Sequence, residues 1–319
     1  MRVVFFGSSP FGLPTLERLT RECKVEAVVT QPDRPAGRKR KLSATPVGAW
    51  CAEHLPSTPV HKEESVNQEE IQRTLRRYDA DAWVVIAFGQ KLSKTLLANR
   101  FAINLHASIL PRWRGAAPIH AAMVAGDQIV GNSVITLAER MDAGLVLGQS
   151  TYQPAPDETT GEVHDKLSVI GAEDILNVLH AHERGEIEEQ TQDESEVTYA
   201  KKLSPADGWV DFRADSDIVR RRINGLSPKP GVSVELEDVT MKLIRAGLAP
   251  IERIRTGSKA GTIIDAEFGL VACGNDEAVR LIEVQPAGKK TMEWSAFLAG
   301  RQISEGAQLL SAVPVPLDA

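Results

Sequence analysis

The amino-acid sequence predicts an α/β protein in which a Rossmann-like, mostly parallel sheet is followed by a small, OB-like β-barrel. Two observations support the sheet: strand-like and helix-like segments alternate through the N-terminal third, and the strand-like runs are continuously apolar. A third observation supports the barrel, because from Lys202 onward the chain changes to short strand-like runs broken by Gly and Pro. The length of 319 residues also favours two domains over one.

The elements of the predicted sheet follow one another in βαβ order. From the N-terminus, the strand-like runs are Val3–Phe6, Val25–Thr30, Ala82–Ala87, Ala102–Leu105, Ser133–Leu137 and Val146–Tyr152, and the helix-like runs are Pro10–Arg21, Glu64–Arg77 and Gly161–Arg184. Continuously apolar strands such as Trp83–Ala87 are typical of a sheet that helices cover on both faces. Ligands of such sheets bind beyond the carboxyl ends of the strands, so polar residues there are the first candidates for chemistry.

The second domain is predicted from five short strand-like runs. These are Gly231–Glu235, Met241–Arg245, Gly261–Ile264, Leu270–Ala272 and Val279–Val284. A polar stretch begins at Gly185, after the last helix of the sheet domain, and is a candidate linker. We therefore predict a first domain over 1–190, a linker over 191–206 and the barrel over 207–319.

Composition and charge exclude several classes of protein. The net charge of −6 argues against binding nucleic acid over the whole surface, although residues 151–196 alone carry thirteen acids and two bases. No apolar run approaches the roughly 18 residues of a membrane span, and no signal peptide is visible. The three cysteines are far apart and lack metal-ligand spacing, so we expect them to be reduced and buried. A cytoplasmic protein, monomeric and without a membrane partner or a metal, is the expectation.

Two short segments offer candidate sites. The turn Gly7–Gly12 follows the first strand but lacks the pattern of a phosphate-binding loop, and we interpret it as a strand-to-helix turn. The run Asn104–Pro118 is richer, since Asn104 and His106 are two positions apart on a strand and share one face at its carboxyl end. An amide and an imidazole placed together suit the stabilisation of an oxyanion. Taken singly, each side chain is better explained as a partner for backbone groups.

The run Asn104–Pro118, with Asp142 thirty-six positions after His106, resembles the active-site signature of the folate-dependent formyltransferases. The resemblance implies that Asn104, His106 and Asp142 are catalytic, and that the donor is 10-formyltetrahydrofolate. The folate-binding residues that it implies are Phe88, Gly89, Ser108, Ile109, Leu110 and Pro111. It also implies that an amine attacks the formyl carbon directly, with Asn104 and protonated His106 stabilising the oxyanion and Asp142 assisting proton transfer, without a metal.

A basic loop separates the branches of this family. The segment Gln31–Leu42 resembles the loop that binds the acceptor stem of tRNA in the methionyl-tRNA branch. This resemblance implies that initiator methionyl-tRNA is the partner. The tRNA-binding residues that it implies are Arg34, Arg38, Lys39, Arg40 and Lys41. A solvated basic loop or a site for the folate tail are the alternatives. Residues 220–259, with nine bases against four acids, are a second candidate tRNA surface, although an ordinary mixed surface also fits.

The resemblance covers nearly the whole chain, because Gln285–Met292 also matches the methionyl-tRNA branch. Two departures from the family pattern occur, Ala107 in place of Gly and Leu226–Pro230 in place of an Asn-Pro-Trp-Pro run. A sugar-amine formyltransferase is the main alternative within the family, and the basic loop argues against it. A catalytically silent RNA-binding module is the alternative from another class, and the intact set of Asn, His and Asp argues against that.

Overall fold

The structure, a computed structural model, describes residues 1–36, 41–254 and 256–316. Contacts within the chain divide it into two compact units. The first unit comprises Met1–Arg114, Gly131–Tyr152 and His164–Tyr199, and the second comprises Gly115–Val130, Gln153–Val163 and Ala200–Ala319. The boundary between Tyr199 and Ala200 falls inside the predicted linker. Gly115–Val130 and Gln153–Val163, however, lie in the predicted first domain and belong to the second unit. The domain borders at 190 and 207 therefore stay a prediction.

Helices and strands alternate through most of the chain. The strands are β1 Arg2–Gly7, β2 Lys24–Thr30, β3 Arg34–Ala36, β4 Lys41–Ser43, β5 Val60–Lys62, β6 Ala82–Ile86, β7 Ala102–His106, β8 Arg114–Gly115, β9 Val130–Thr136, β10 Val146–Tyr152, β11 Tyr199–Ala200, β12 Val232–Leu236, β13 Val239–Leu248, β14 Ile263–Asp265, β15 Leu270–Ala272, β16 Ala278–Pro286, β17 Met292–Glu293 and β18 Leu309–Ser311. The helices are α1 Leu13–Glu22, α2 Pro46–His54, α3 Glu69–Arg76, α4 Lys94–Leu97, α5 Pro118–Ala125, α6 Thr160–Arg184, α7 Ser216–Leu226 and α8 Trp294–Leu298.

The first unit is built on a seven-stranded sheet with the order β10-β9-β7-β6-β1-β2-β5. The pairs β1/β2, β1/β6, β2/β5 and β6/β7 are parallel, and β7/β9 is antiparallel. Val3, Val4, Phe5 and Phe6 of the central strand β1 are all fully buried, so both faces of that strand are covered. The predicted Rossmann-like, mostly parallel sheet is confirmed.

One predicted helix is shorter in the structure than the sequence suggests. The helix expected over 64–77 spans only Glu69–Arg76. The residues before it form a loop in which the Val66 N–H donates to Gln90 Oε1 (2.9 Å) and Asn67 Nδ2 donates to the Lys91 carbonyl (2.7 Å). These contacts to a segment more than twenty residues away hold the residues before Glu69 in a loop.

The second unit contains an antiparallel sheet with the order β14-β15-β16-β13-β12-β18, and β17 pairs with β16. Its two end strands are joined by a bridge between Thr262 and Gln308. Next to this bridge, the Ile263 N–H donates to the Ala307 carbonyl and the Leu309 N–H to the Gly261 carbonyl, each at 2.8 Å. The sheet thus closes on itself, and the prediction of a small C-terminal barrel is confirmed.

Helix α7, which the sequence analysis missed, packs on this barrel through Val219, Ile223 and Leu226. The side chains of its three consecutive arginines, residues 220–222, contact other residues of the second unit. Arg220 forms an ion pair with Asp217, and Arg221 Nη1 donates to the Ala125 carbonyl (2.7 Å).

Arg222 is the most enclosed of the three arginines. It lies 3.2 Å over the Trp209 ring and donates from Nε to the Trp209 carbonyl (2.7 Å). Burial lowers its pKa from 12.5 to about 10. The arginine run is therefore engaged inside its own unit, and it is a poor source of the free guanidinium groups that the expected basic surface needs.

A carboxylate-arginine-carboxylate cluster stabilises the second unit. Arg245 Nη2 donates to Glu162 Oε1 (2.7 Å) and Arg245 Nε donates to Glu283 Oε2 (2.9 Å). Burial raises the pKa of Glu162, but hydrogen bonds from Arg245 and Thr159 outweigh it and lower that pKa from 4.5 to about 2. A carboxyl whose pKa is depressed on folding contributes stability that is present above the unfolded value and lost as the pH falls through the folded value.

We expect Arg245→Met to lower the free energy of unfolding at neutral pH. The same change should flatten the loss of stability between pH 4.5 and about 2, because Glu162 then loses the Arg245 hydrogen bond that helps to lower its pKa. Urea unfolding followed by circular dichroism across this pH range checks both points, with the exposed Lys259→Met as the matched control. Parallel stability curves for the wild type and Arg245→Met would contradict the prediction.

Three further expectations concern cysteines, membranes and metals. Cys51 and Cys273 are buried free thiols, and burial raises their pKa to about 11 and about 12, whereas Cys23 is only half-buried, contrary to expectation. Of the helices in the described parts of the chain, none combines the length and apolar character that a membrane span requires. Within the same residues, no group of three or more His, Cys, Asp or Glu side chains is arranged to hold a metal ion.

Candidate active site

Strand β7 places two of the predicted catalytic residues on one face at its carboxyl end. Asn104 lies opposite Val85 and Ile135 of the neighbouring strands, and His106 lies opposite Ser133. His106 is buried, with 6% of its surface exposed, and Asn104 is half-buried. Within the described residues the Asn104 side-chain amide makes no hydrogen bond, so its donors are available for a ligand.

The two ring nitrogens of His106 face different partners. Nε2 lies 2.9 Å from the carbonyl oxygen of Trp113, and Nδ1 lies 3.6 Å from Asp142 Oδ2. A carbonyl oxygen only accepts hydrogen bonds, so Nε2 must carry a hydrogen. Nδ1 is therefore the nitrogen that can gain or lose a proton, and it faces the carboxylate.

Backbone geometry at Trp113 keeps its carbonyl oxygen in place. Trp113 adopts a left-handed conformation with φ +62°, which is uncommon for a bulky residue. Its N–H donates to Thr198 Oγ1, and the next N–H, that of Arg114, donates to the Thr198 carbonyl, both at 2.9 Å. The sequence analysis did not identify Trp113 or Thr198 as parts of the site.

Asp142 lies in the loop between β9 and β10. The ends of this loop are closed by two hydrogen bonds of 2.9 Å, from the Thr136 N–H to the Leu145 carbonyl and from the Leu145 N–H to Thr136 Oγ1. Asp142 itself has φ +53°, and its side chain is 16% exposed. The structure thus brings the carboxylate of a distant loop to the imidazole at the end of β7.

The predicted folate-binding run 108–111 is fixed by Ser133. Ser133 Oγ donates to the Ser108 carbonyl (2.7 Å) and accepts from the Leu110 N–H (3.0 Å). Ser108 and Leu110 are buried, whereas Ile109 and Pro111 are half-buried, and the Leu110–Pro111 peptide is cis. The run is therefore a rigid segment beside His106, with Ile109 and Pro111 as its more accessible side chains.

Phe88 and Gly89 follow strand β6, the neighbour of β7. The Phe88 ring is buried against Phe6 at 5.6 Å between ring centres, and its carbonyl accepts from Ser8 Oγ (3.1 Å) and Gln31 Nε2 (3.2 Å). Gly89 is exposed and has φ +86°, a conformation that favours glycine. The ends of β1, β2 and β6 are joined in this way, and Ser8 and Gln31 are contributors that the sequence analysis missed.

The basic loop is described only at its two ends, which pair as the hairpin β3/β4. Ala36 lies opposite Lys41, and Arg34 donates from Nη2 to Glu64 Oε2 (2.6 Å). The Arg34 side chain is 62% exposed, and Lys41 is exposed as well. Arg38, Lys39 and Arg40 lie outside the described residues.

A buried arginine cluster supports the loop that carries Asp142. Arg114, whose side chain is 1% exposed, donates to Gln192 Oε1 (3.0 Å) and to Glu194 Oε1 (2.9 Å). Glu194 also pairs with Arg140 of the loop, and hydrogen bonds from Arg114 and then Arg140 lower its pKa. The sequence offered no signal for this cluster, because Gln192 and Glu194 belong to a polar stretch that resembles a linker.

An amide and an imidazole lie at the end of β7 with a carboxylate beside the imidazole, an arrangement suited to stabilising an oxyanion. Residues 1–179 match the family model described as formyl transferase, and residues 202–302 match that of the formyl transferase C-terminal domain. The chain belongs to the formyl transferase family.

Two curated relatives make the likeness more specific. The methionyl-tRNA formyltransferase of Thiobacillus denitrificans is 38% identical over 314 residues, which cover 97% of this chain and 99% of the relative. The methionyl-tRNA formyltransferase of Staphylococcus aureus is 36% identical over 305 residues, 94% of this chain and 96% of the relative. Both alignments run through the two matched regions.

Solved structures share the fold at lower identity. HypX from Aquifex aeolicus in complex with tetrahydrofolic acid has a TM-score of 0.64 over 94% of this chain at 18% identity, and the aligned region is 47% of that protein. WlaRD, a sugar 3N-formyl transferase crystallised with dTDP and 5-N-formyl-THF, has a TM-score of 0.67 over 91% of this chain and 99% of its own, at 11% identity. At these identities the likeness concerns the fold alone.

Proposed function

We propose that this enzyme transfers the formyl group of 10-formyltetrahydrofolate to the amino group of methionine on initiator methionyl-tRNA, giving N-formylmethionyl-tRNA. The observation that carries the proposal is the pairing of His106 with Asp142 at the end of β7, 3.6 Å apart, in a chain similar along its length to enzymes of that name. The acceptor is taken from those relatives, and the folate donor from the family and from the folate-bound neighbours.

The proposed reaction begins with attack of the neutral amine on the formyl carbon. A C–N bond to the methionine nitrogen forms, and the carbonyl electron pair moves onto oxygen. Asn104 offers amide donors at the place where this oxyanion develops, and protonated His106 places a positive charge beside it. Neither side chain acts as a nucleophile.

Collapse of the tetrahedral intermediate completes the transfer. The attacking amine first loses a proton to Asp142, directly or through water, and Asp142 also orients His106. The bond from the formyl carbon to N10 of the folate then breaks, and Asp142 passes that same proton to N10 as tetrahydrofolate leaves. Only 6% of the His106 side chain and 16% of the Asp142 side chain are exposed. This low exposure limits competition from bulk water for the hydrogen bonds and the proton transfer at the site.

The donor is proposed to lie beside Phe88, Gly89 and the run 108–111, at the carboxyl ends of the strands. The acceptor stem is proposed to contact the basic loop, through Arg34, Lys41 and the intervening bases. We also propose that the enzyme acts as a monomer in the cytoplasm, where its two substrates are found.

The deciding experiment offers radiolabelled 10-formyltetrahydrofolate to methionyl initiator tRNA and, in parallel, to a panel of amino-sugar nucleotides. Formylated methionyl-tRNA, formed far more slowly by Asp142→Asn, is the expected product. Label on a sugar would keep the formyl chemistry and overturn the acceptor. Release of free formate with every acceptor would instead assign a hydrolase.

Binding of tRNA through the basic loop predicts a dependence on salt. Each lost phosphate contact should reduce the slope of log K against log salt by about 0.7 to 0.9, so Lys41→Ala should bind tRNA more weakly and less salt-dependently than the wild type. Filter binding over a salt series measures the slope. Arg73→Ala, an exposed arginine of α3, is the matched control. An unchanged slope in Lys41→Ala, and likewise in Arg34→Ala, would remove these residues from the interface.

A further inference from the structure

A short segment of the first unit, residues 190–194, runs beside the loop that carries Asp142. Gln190 and Val146 exchange two backbone hydrogen bonds of 2.9 and 2.8 Å, and Glu194 accepts two of 2.9 Å from Arg140. Between these two anchors lies Gln192, which is 7% exposed. The segment therefore holds the loop on both sides of Asp142, and Gln192 fills the position between them.

Gln192 uses both ends of its amide in this position. Its Nε2 donates to the carbonyl oxygen of Asp142 (2.7 Å) and to that of Gly144 (2.8 Å), while its Oε1 accepts from Arg114 Nε (3.0 Å). The buried arginine fixes which way the amide points, because a guanidinium can only donate. Both amide hydrogens are thus directed at the backbone of the loop.

The backbone of Asp142 needs such support. Its φ of +53° is a left-handed conformation that costs free energy unless surrounding contacts hold it. The carboxylate must also stay close to His106 Nδ1, from which it is 3.6 Å away. Displacements of about 1 Å in such a group are known to cost about 100-fold in rate.

We propose that Gln192 is a positioning residue of the reaction, which holds the Asp142 backbone so that the carboxylate faces His106. This inference rests on the proposed function, because it presumes that Asp142 takes part in the transfer. Gln192 does not touch the reacting atoms, and it acts through the carbonyl groups of Asp142 and Gly144. The cluster is completed by Arg114, which orients the Gln192 amide.

Gln192→Met tests the proposal, because methionine has a similar volume and lacks the amide donors. We expect kcat to fall about 100-fold with little change in KM for either substrate. Gln192→Glu offers a second test, because a carboxylate accepts from Arg114 but cannot donate to the two carbonyls. Gln190→Met is the matched control, since Gln190 is exposed and pairs only through its backbone. Its kcat should equal that of the wild type.

A double-mutant cycle separates positioning from general destabilisation. If Gln192 acts through Asp142, Gln192→Met should cause no further loss of kcat in the Asp142→Asn background. An equal loss in both backgrounds, or a control variant as impaired as Gln192→Met, would overturn the proposal. Rates are compared below the melting temperature of each variant. If Gln192→Met does not fold, Gln192→Glu replaces it in the double-mutant cycle.

Amide hydrogen exchange provides a readout that does not depend on the substrate. Exchange in the peptide covering residues 137–145 should be faster in Gln192→Met than in the wild type, and unchanged in Gln190→Met. Unchanged exchange in Gln192→Met would overturn the proposal. If methionyl-tRNA proves not to be the acceptor, the kinetic cycle is run with the amine that is formylated, so failure of the proposed function is distinguished from failure of this inference.

Discussion

His106→Ala is expected to lower kcat by about 1,000-fold, because general acid-base groups and oxyanion donors each contribute roughly 100- to 1,000-fold or more. The variant loses the imidazole beside Asp142 and also the 2.9 Å hydrogen bond to the Trp113 carbonyl. Loss of one partner of a buried hydrogen bond costs about 1 to 3 kcal/mol of stability, so we expect the variant to fold with a lower melting temperature. Formyl transfer under saturating substrates, together with a thermal melt, measures both effects.

His180→Ala is the control for the first prediction. His180 is an exposed residue of α6, and its removal should leave kcat and the melting temperature unchanged. Activity of His106→Ala within about threefold of the wild type would show that the imidazole at the end of β7 takes no part in the transfer.

Gly144→Ala is also expected to damage both catalysis and stability. A Cβ at this position would lie 1.7 Å from the Thr136 carbonyl oxygen and 2.6 Å from its carbon. These are backbone atoms of β9 and cannot move aside, so the loop itself must shift and take Asp142 with it. We expect a loss of about 100-fold in kcat, together with a destabilisation of about 1 to 3 kcal/mol from overpacking.

Gly148→Ala is the matched control, because it lies four positions further along, in β10. The nearest atom to its added Cβ is Val178 Cγ2 at 3.3 Å, a side-chain methyl that can give way. Steady-state kinetics and chemical unfolding of both variants compare the two sites. If Gly144→Ala had the same kinetic constants as Gly148→Ala, the position of the loop would not limit catalysis.

The sequence predicted best those elements whose side chains are determined by local pattern. Strands Val146–Tyr152 and Leu270–Ala272 have the predicted limits, and the helix expected to start at Gly161 starts at Thr160. In each case the element lies next to residues that favour turns, such as Gly144 before Val146, Gly269 before Leu270 and Gly185 after Arg184. The helix that begins at Glu69 was placed too early, because Val66 and Asn67 donate hydrogen bonds to a distant segment and the residues before Glu69 form a loop.

Of the residues at the candidate site, some were predicted from the sequence and others were not. Asn104, His106 and Asp142 were predicted to be catalytic from the family resemblance of a run of residues, and the structure places His106 beside Asp142. Arg114 and Gln192 were not found, because they meet across 78 positions of sequence and neither lies in a periodic pattern. A pairing of this kind is visible only once the chain has folded.

For the arginine run of α7, the sequence indicated a surface feature that the structure does not favour. Three consecutive bases indicate a surface for phosphate on charge alone. Arg221 instead binds the carbonyl of Ala125, and Arg222 packs on Trp209, because the backbone of the same unit supplies acceptors that sequence does not reveal. Local charge therefore overestimated the basic surface of the second unit.

The make-up of the second unit also determines how the chain can be divided in the laboratory. Helix α5 belongs to that unit, and it meets α7 so closely that a Cβ on Gly225 would lie 2.7 Å from Val124 Cγ2. A fragment that stopped at residue 190 would keep α5 but lose the helix it packs on, leaving apolar surface in water. Such a fragment is expected to aggregate, so the transferase chemistry is best studied in the intact chain.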